Sequence, residues 1–111
     1  MPRVAELDIQ SMRKVADEAA GLLRALANPN RLLLLCHLSQ GERCVSDLEE
    51  ELGIEQPTLS QQLTVLRTQE LVNTRRNGKR IYYSVADPKA LKVLETLYQL
   101  FCAPAGRRRV R

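Results

Sequence analysis

The sequence has few of the residues from which catalytic sites are built. Its 111 residues include a single histidine, His37, and neither a Cys-x-x-Cys motif nor a glycine-rich phosphate-binding loop. No set of acid, base and nucleophile can be assembled from what is present, so we predict that the chain is not an enzyme. By the same reasoning we predict no catalytic residues and no cofactor.

Long hydrophobic runs are also missing. The longest uninterrupted apolar run, Leu32 to Cys36, has five residues, whereas a membrane span needs about 20. The first ten residues, MPRVAELDIQ, lack the apolar core of a signal peptide. We therefore expect no membrane partner and a cytoplasmic location, where thiols stay reduced. Three cysteines, an odd number, do not make a disulfide framework.

Charge is spread unevenly along the chain. We interpret residues 1–106 as one globular domain and residues 107–111 as a basic, disordered tail whose contact with DNA is left open. The four arginines of that tail account for the whole net charge of +4. Basic residues nevertheless cluster between Arg67 and Arg80, whereas acidic residues dominate from Glu42 to Glu55. This distribution indicates an anionic partner at one face of the molecule.

Residues 54–71, IEQPTLSQQLTVLRTQEL, predict a helix with two unlike faces. Apolar residues recur every three to five positions, which predicts a buried stripe, and Pro57 suits the first helical position. The other face carries uncharged polar side chains, which can bond base edges or phosphates. Taken alone, the pattern fits an ordinary amphipathic helix equally well. The DNA-contacting residues predicted here are Gln56, Thr58, Ser60, Gln61, Gln62 and Arg67.

Three further helices are predicted before this one, at residues 7–27, about 29–39 and 45–52. The second is apolar nearly all round, which predicts a central core helix. The third can be capped by Cys44 or Ser46, and Ser46 with Glu49 fits a capping box. Gly53 suits the end of that helix. Two short helices joined by a tight glycine-containing turn, the second with a polar reading face, describe a helix-turn-helix.

After Leu71 the hydrophobic period changes from 3.6 to 2. Residues 72–76 and 80–85 predict two strands, and Asn77-Gly78 between them is a strong hairpin signal. A basic hairpin that follows a recognition helix is typical of a wing, although a solvated hairpin with incidental charge is the alternative. We predict that its basic residues bind the DNA backbone or the minor groove. They are Arg75, Arg76, Lys79 and Arg80.

The last helix, at residues 88–102, is predicted to begin at Asp87-Pro88. It has more apolar side chains than a lone outer helix can bury, and the first helix has a similar surplus. We therefore predict a homodimer built on these two helices. Its contacts include, at the interface or just beneath it, Leu94, Leu97, Tyr98 and Phe101. The predicted fold is mainly α with a β-hairpin wing: a winged helix-turn-helix in the order α-α-α-α-β-β-α.

This order of elements resembles the ArsR/SmtB family of bacterial winged-helix repressors. The resemblance covers roughly Ser11 to Cys102, and its motifs are LANPNRL (26–32), VSDL (45–48), QPTLSQQL (56–63) and Leu66-Arg67. It implies a homodimer that binds pseudo-palindromic, double-stranded operator DNA and releases it on sensing an inducer. Gln62 departs from the family, which often has histidine at this position, so the resemblance does not settle how bases are read.

The resemblance also bears on the inducer. Arsenic and cadmium sensors of the family carry Cys-Val-Cys-Asp-Leu, where this chain has Cys44-Val45-Ser46-Asp47-Leu48 and therefore lacks the second thiolate. Zinc sensors use Asp and His of the last helix, and this last helix has no histidine. One cysteine and one histidine do not complete a tetrahedral site, so we predict no metal site.

Cys36 and Cys102 occupy the places of the two cysteines in the thiol-sensing branch of the family, whose members are called BigR, SqrR or HlyU. That branch responds to reactive sulfur species or oxidants. The resemblance implies a repressor that binds DNA when reduced and releases it when Cys36 and Cys102 are oxidised or bridged. A metal- or metalloid-responsive repressor, a redox-insensitive regulator and a winged helix that binds only proteins stay open, as do two inert cysteines. Cys44 has no counterpart in that branch.

Overall fold

The computed structural model describes residues 8–102, so the tail predicted to be disordered lies outside the described residues. The elements are α1 (Ile9–Leu26), α2 (Pro29–Leu38), β1 (Arg43–Cys44), α3 (Val45–Leu52), α4 (Thr58–Thr68), β2 (Val72–Asn77), β3 (Arg80–Val85) and α5 (Pro88–Phe101). The predicted winged helix-turn-helix is confirmed. The prediction missed β1, which extends the hairpin into an antiparallel sheet in the order β1-β3-β2. A two-residue strand leaves no period-2 pattern to detect.

Short polar side chains set where α1 and α2 begin. The Asp8 carboxylate accepts a hydrogen bond from the Gln10 N–H at 3.3 Å, and the Asn28 side chain accepts one from the Arg31 N–H at 3.0 Å. Each satisfies a backbone donor that the first helical turn leaves unpaired. Pro29 follows directly as the first residue of α2. The Asn-Pro break between the two predicted helices is therefore also the N-cap of the second.

The core is built from leucines of α2, α3 and α4. Leu34 and Leu35 are fully buried, and they pack in one cluster with Leu48, Leu59 and Leu66, which are also fully buried. Leu33, by contrast, is 45% exposed. The inner face of α2 is therefore central to the core, as predicted. Its outer face is also apolar, but it is not buried in the single chain.

The structure decides how both helices of the helix-turn-helix begin. Of the two predicted caps of α3, Cys44 is the N-cap, and its N–H donates to Asp47 Oδ2 at 3.3 Å. The predicted Ser46–Glu49 capping box is wrong because α3 begins at Val45. Gly53 ends α3 with a left-handed φ of 70°, as predicted. The predicted helix over residues 54–71 is too long at both ends: α4 runs from Thr58 to Thr68, so Pro57 precedes the helix and does not open it.

The wing turn lies one residue further along than predicted. Asn77 pairs with Arg80 across the hairpin, so the two turn residues are Gly78 and Lys79. Gly78 has a φ of 65°, a conformation that glycine adopts without steric cost. The glycine therefore takes the first turn position, and Asn77 remains in the strand.

The outer helix α5 begins as predicted, with Asp87 as N-cap and Pro88 as first residue. The Asp87 carboxylate accepts from the Lys89 N–H at 2.8 Å. Within residues 8–102, none of the helices combines the length and the apolar character that crossing a bilayer requires.

Candidate DNA-binding surface and cysteine pair

Helix α4 presents one apolar face to the core and one polar face to solvent. Leu59, Leu63 and Leu66 are all buried, and the three-to-four-residue spacing between them places them on one side of the helix. The predicted reading residues Ser60, Gln61 and Arg67 are exposed on other sides, whereas Thr58 and Gln62 are half-buried at its flanks. The exposed side of α4 is therefore polar without being acidic.

Two of the predicted reading residues bind each other. Gln56 Oε1 accepts hydrogen bonds from the Ser60 N–H at 3.0 Å and from the Ser60 hydroxyl at 2.7 Å. The Gln56 side chain thus satisfies a backbone donor in the first turn of α4, which Pro57 cannot do because its side chain carries no acceptor. Since Gln56 has only one side-chain oxygen, both bonds draw on the same acceptor, and its amide nitrogen stays available for DNA.

Gln62 is bound from inside the protein by a residue that the sequence reasoning missed. Arg31 Nη1 donates to Gln62 Oε1 at 2.7 Å, and the same guanidinium donates to the carbonyl oxygens of Ala25 and Arg24, at 2.6 and 3.2 Å. Arg31 therefore joins the end of α1 to the recognition helix α4. The only feature of the sequence that marks Arg31 is its position just after the Asn-Pro break. Nothing in the sequence indicates its pairing with a residue 31 positions away.

Gln61, in contrast, has neither amide group engaged. Its side chain is exposed and makes no hydrogen bond with another side chain or the backbone within residues 8–102. Both its oxygen and its nitrogen are free, which bidentate pairing with adenine requires.

On the wing, Arg75 is held by a carboxylate. Its Nε and Nη2 donate to the two oxygens of Glu42, at 2.9 and 2.7 Å, and its guanidinium lies 4.8 Å from the centroid of the Tyr82 ring. The hydrogen bond from Arg75 lowers the pKa of Glu42, which therefore stays ionised. Glu42 was not among the predicted site residues, because it reads as part of an acidic stretch.

The other basic residues of the wing are less engaged than Arg75. The neighbouring Tyr82 raises the pKa of Arg80, so this side chain stays charged. Arg76, Lys79 and Arg80 are all exposed and take part in none of the ion pairs formed within residues 8–102. Of the four predicted wing contacts, Arg75 is thus the one whose charge is paired with a carboxylate in that part of the chain.

Cys36 and Cys102, the two predicted sensing residues, lie on two different helices. Both are exposed, Cys36 on α2 and Cys102 as the C-cap of α5. Partial burial raises the pKa of Cys36, and the charge of the Cys102 thiolate raises it further. The two predicted sensing thiols are therefore both accessible, and the charge of one acts on the other.

Cys44 and His37 belong to separate clusters. Cys44 is buried, and its Sγ lies 3.3 Å from Ser46 Oγ. His37 Nε2 is 2.6 Å from Glu51 Oε1, which also accepts from Arg43 Nε at 3.2 Å. Within the part of the chain that the structure describes, no three His, Cys, Asp or Glu side chains are grouped so that they could hold a metal ion.

The predicted dimer residues of α5 differ in how far the single chain already buries them. Leu94 is 4% exposed and belongs to the core of the single chain, and Leu97 is half-buried. Tyr98 and Phe101 are 51% and 75% exposed. On α1, Ile9 and Leu23 are exposed in the same way. The two outer helices thus carry apolar side chains that the single chain leaves uncovered, with Leu94 beneath them.

Known proteins are similar to this chain in sequence and in fold. The model of the bacterial regulatory protein family arsR matches residues 28–74. The chain is 52% identical to the biofilm growth-associated repressor of Agrobacterium fabrum over 101 residues, which are 91% of this chain and 86% of that protein. The crystal structure of the transcriptional repressor BigR from Xylella fastidiosa superposes with a TM-score of 0.82 at 48% identity, covering 88% of this chain and all of that one. Reduced HlyU from Vibrio cholerae gives a TM-score of 0.80 at 37% identity, over 85% and 99% of the two chains.

Proposed function

Since the chain belongs to the ArsR family of bacterial regulatory proteins, we propose that it is a transcriptional repressor controlled by its own thiols. In this proposal a homodimer binds operator DNA while Cys36 and Cys102 are reduced. Reactive sulfur species or an oxidant join the two cysteines, and the bridged dimer releases the DNA. The observation that supports the sensing step is that both thiols are exposed and that the charge of the Cys102 thiolate acts on Cys36.

Operator binding is supported by the way in which α4 and the wing divide polar and charged groups. Gln61 has a free amide for base edges, and Arg76 and Lys79 have free charge for phosphates. Thr58, Ser60, Gln62 and Arg67 on α4 complete the proposed major-groove set, together with Gln56 just before the helix. Arg75 and Arg80 complete the proposed backbone and minor-groove set. The Agrobacterium and Xylella relatives are themselves known as repressors.

The sensing chemistry we propose begins with a thiolate. The raised pKa of Cys36 keeps it largely protonated at neutral pH, so we assign the first attack to Cys102 and the second to Cys36. The Cys102 thiolate attacks the outer sulfur of a hydropersulfide, RSSH, and releases the thiolate RS⁻. The Cys36 thiolate then attacks the inner sulfur of the Cys102 persulfide and releases HS⁻. Once the two leaving groups are protonated, two thiols and one RSSH have given one disulfide, RSH and H₂S.

A longer bridge forms by the same chemistry when both thiols are persulfidated first. One persulfide then attacks the inner sulfur of the other and releases H₂S. The product is a trisulfide, with one sulfur atom between the two Sγ atoms. A disulfide requires Cα atoms within about 7 Å, whereas the longer bridge spans more. Either bridge ties the dimer helix α5 to α2, the helix that packs on α4. DNA affinity falls if the bridged form favours an unsuitable spacing of the two α4 helices, by about 1.4 kcal/mol for each tenfold loss.

The test is to treat the reduced protein with polysulfide and to follow both linkage and DNA binding. Mass spectrometry should find Cys36 joined to Cys102, and a gel shift with the upstream DNA of its own gene should show release. Cys36→Ser and Cys102→Ser should stay bound under polysulfide, whereas Cys44→Ser, the matched control, should behave like the wild type. Release by either of the first two variants, or a linkage through Cys44, refutes the two-thiol mechanism.

A further inference from the structure

We propose that Arg31 is a positioning residue that turns the oxygen of the Gln62 amide towards itself, so that Gln62 presents its amide nitrogen to DNA. This inference rests on the proposed DNA binding and concerns what α4 can read. It makes Gln62 and Gln61, which are neighbours in sequence and chemically identical, unequal readers. The difference comes from a contact made 31 residues away.

The orientation of the Gln62 amide follows from the chemistry of its partner. A guanidinium carries only donors, so the amide group 2.7 Å from Arg31 Nη1 must be the carbonyl oxygen. The oxygen and nitrogen of a glutamine often cannot be told apart, but an arginine partner removes that ambiguity. Gln62 and Arg31 are both half-buried. The Gln62 Nε2, on the other side of the amide carbon, is therefore directed away from Arg31.

Arg31 is itself held too firmly to follow Gln62 if that side chain rotates. Its Nε and Nη2 donate to the carbonyl oxygens of Ala25 and Arg24 in the last turn of α1. The Ala25 carbonyl lies in the last helical turn, where backbone donors run out, and the guanidinium supplies its partner; the Arg24 carbonyl also accepts from the Ala27 N–H at 3.2 Å. Turning the Gln62 oxygen towards DNA would leave an Arg31 donor unpaired in a half-buried site, which is unfavourable. The guanidinium thus locks one of the two amide directions.

The locked direction limits which DNA groups Gln62 can bind. Bidentate pairing with adenine needs a glutamine oxygen to accept from N6 and a nitrogen to donate to N7. With its oxygen turned to Arg31, Gln62 offers DNA its nitrogen, so its partners are acceptors: guanine O6, thymine O4, the N7 of either purine, or a phosphate oxygen. Gln61 keeps both groups free and can read adenine. The prediction is that Gln62 does not select adenine over guanine while Arg31 is in place, because both purines carry N7.

The experiment uses the full-length reduced protein and a library of duplexes with randomised base pairs. The affinity of the duplexes that the wild type selects, and of all their single-base-pair variants, is then measured. The four proteins compared are the wild type, Gln62→Leu, Arg31→Met and the double variant. Gln62→Leu should lower affinity about 2- to 10-fold, the value of one neutral hydrogen bond, either at a purine or thymine or for all duplexes alike. Arg31→Met keeps the apolar stem but frees the Gln62 oxygen, so adenine should gain affinity at the Gln62 position, on the order of tenfold. In the double variant that gain should vanish.

Several outcomes overturn the proposal. The first is that Gln62→Leu loses a preference for adenine over guanine, and the second is that Gln62→Leu binds DNA as the wild type does. The third is that Arg31→Met weakens binding to all duplexes equally and leaves the base preference unchanged. If Arg31→Met does not fold, as judged by circular dichroism, Gln62→Glu replaces it, because a carboxylate still binds Arg31 but has no donor for DNA. Gln62→Glu should keep the thermal stability of the wild type and lose at least as much DNA affinity as Gln62→Leu; wild-type affinity refutes the proposal. Failure of the wild type to select any duplex refutes the DNA-binding function itself.

Discussion

At the scale of single residues, polar side chains of the same type do different work according to what they touch. Gln56, Gln61 and Gln62 all lie in one short stretch, yet two of them have their oxygen bound within the protein. Arg75 and Arg76 are likewise adjacent, and only Arg75 is paired with a carboxylate. These differences give the first predictions.

Gln61→Ala is expected to relax sequence preference at one base pair of each half-site. The loss should be about 1–3 kcal/mol of discrimination, because a bidentate contact with adenine is removed. Binding to the selected duplex and its single-base-pair variants measures it. Thr68→Ala, also on the exposed side of α4, is the matched control and should leave the preference unchanged. An unaltered profile in Gln61→Ala would show that this residue does not read bases.

Arg76→Ala is expected to weaken binding to all duplexes alike. One phosphate contact fewer should flatten the dependence of log K on log salt by about one unit. Titrations at several salt concentrations measure this slope. Arg75→Ala is the matched comparison: Glu42 already neutralises Arg75, so its slope should change less. A change of preferred operator in Arg76→Ala would assign the wing a base-reading role instead.

The raised pKa of Cys36 predicts how its reactivity depends on pH. Below its pKa a thiol is neutral and unreactive, so Cys36 should be alkylated by iodoacetamide more slowly at pH 7 to 8 than a free cysteine, and the rate should keep rising above pH 9. Cys102→Ser removes the second cause of the shift and should move the profile of Cys36 to lower pH. Cys44→Ser should not move it. Mass spectrometry of each cysteine at a series of pH values measures the profiles.

At the scale of elements, the wing is tied to the loop before β1. Glu42 lies in that loop and holds Arg75 of β2, while β1 pairs directly with β3. The pair restrains the hairpin but uses one basic charge that could otherwise face DNA. Arg75 lowers the pKa of Glu42. The pair is therefore fully formed above the usual pKa of a glutamate, and it is lost only as the pH falls through the lowered pKa of Glu42.

Glu42→Gln is therefore expected to tighten binding to DNA of any sequence. The substitution removes a negative charge next to the wing and frees Arg75, so the salt dependence should steepen by about one unit. Glu49→Gln, an exposed acid on α3, serves as the matched control for the loss of one negative charge alone. If the two variants tighten binding equally, the pairing of Arg75 has no influence on DNA affinity.

At the scale of the whole molecule, the uncovered apolar side chains of α1 and α5 support the proposed homodimer. A two-fold axis through these helices would cover Tyr98 and Phe101 of both copies. It would also place the two α4 helices about 34 Å apart, which is one turn of DNA and the spacing of a palindromic site. Sensing, dimerisation and reading are then linked, because Cys102 ends the dimer helix.

Phe101→Asp is expected to dissociate the reduced dimer. Each copy should lose roughly 2 kcal/mol, so the two symmetry-related losses together weaken dimerisation roughly 1,000-fold. Phe101 is 75% exposed in the single chain, so its fold should survive the change. Leu100→Asp is the matched control, because its side chain lies about 100° further round α5. Sedimentation at micromolar concentration measures both; a wild type that is monomeric there contradicts the dimer and the palindrome together.

Local chemistry in the sequence was sufficient for the elements. Asn28-Pro29, Gly53 and Asp87-Pro88 mark helix ends through dihedral preferences and caps that act within a few residues. The leucine spacing of α4 and the period-2 strands revealed the helix-turn-helix and the wing in the same way. Such signals depend on neighbours along the chain, and their errors, at Ser46, Pro57, Asn77 and the two ends of α4, amount to one to four residues.

Only the tertiary structure decided which polar groups are free. Arg31 binds Gln62, Glu42 binds Arg75, and the Cys102 thiolate acts on Cys36 across 31, 33 and 66 residues of chain. No periodicity or propensity encodes such pairs, because they form where packing brings distant segments within hydrogen-bonding or electrostatic range. The sequence therefore determined which face carries polar and basic residues. The fold determined which of them keep an unpaired donor, acceptor or charge for DNA, because each side chain can satisfy only a limited number of partners.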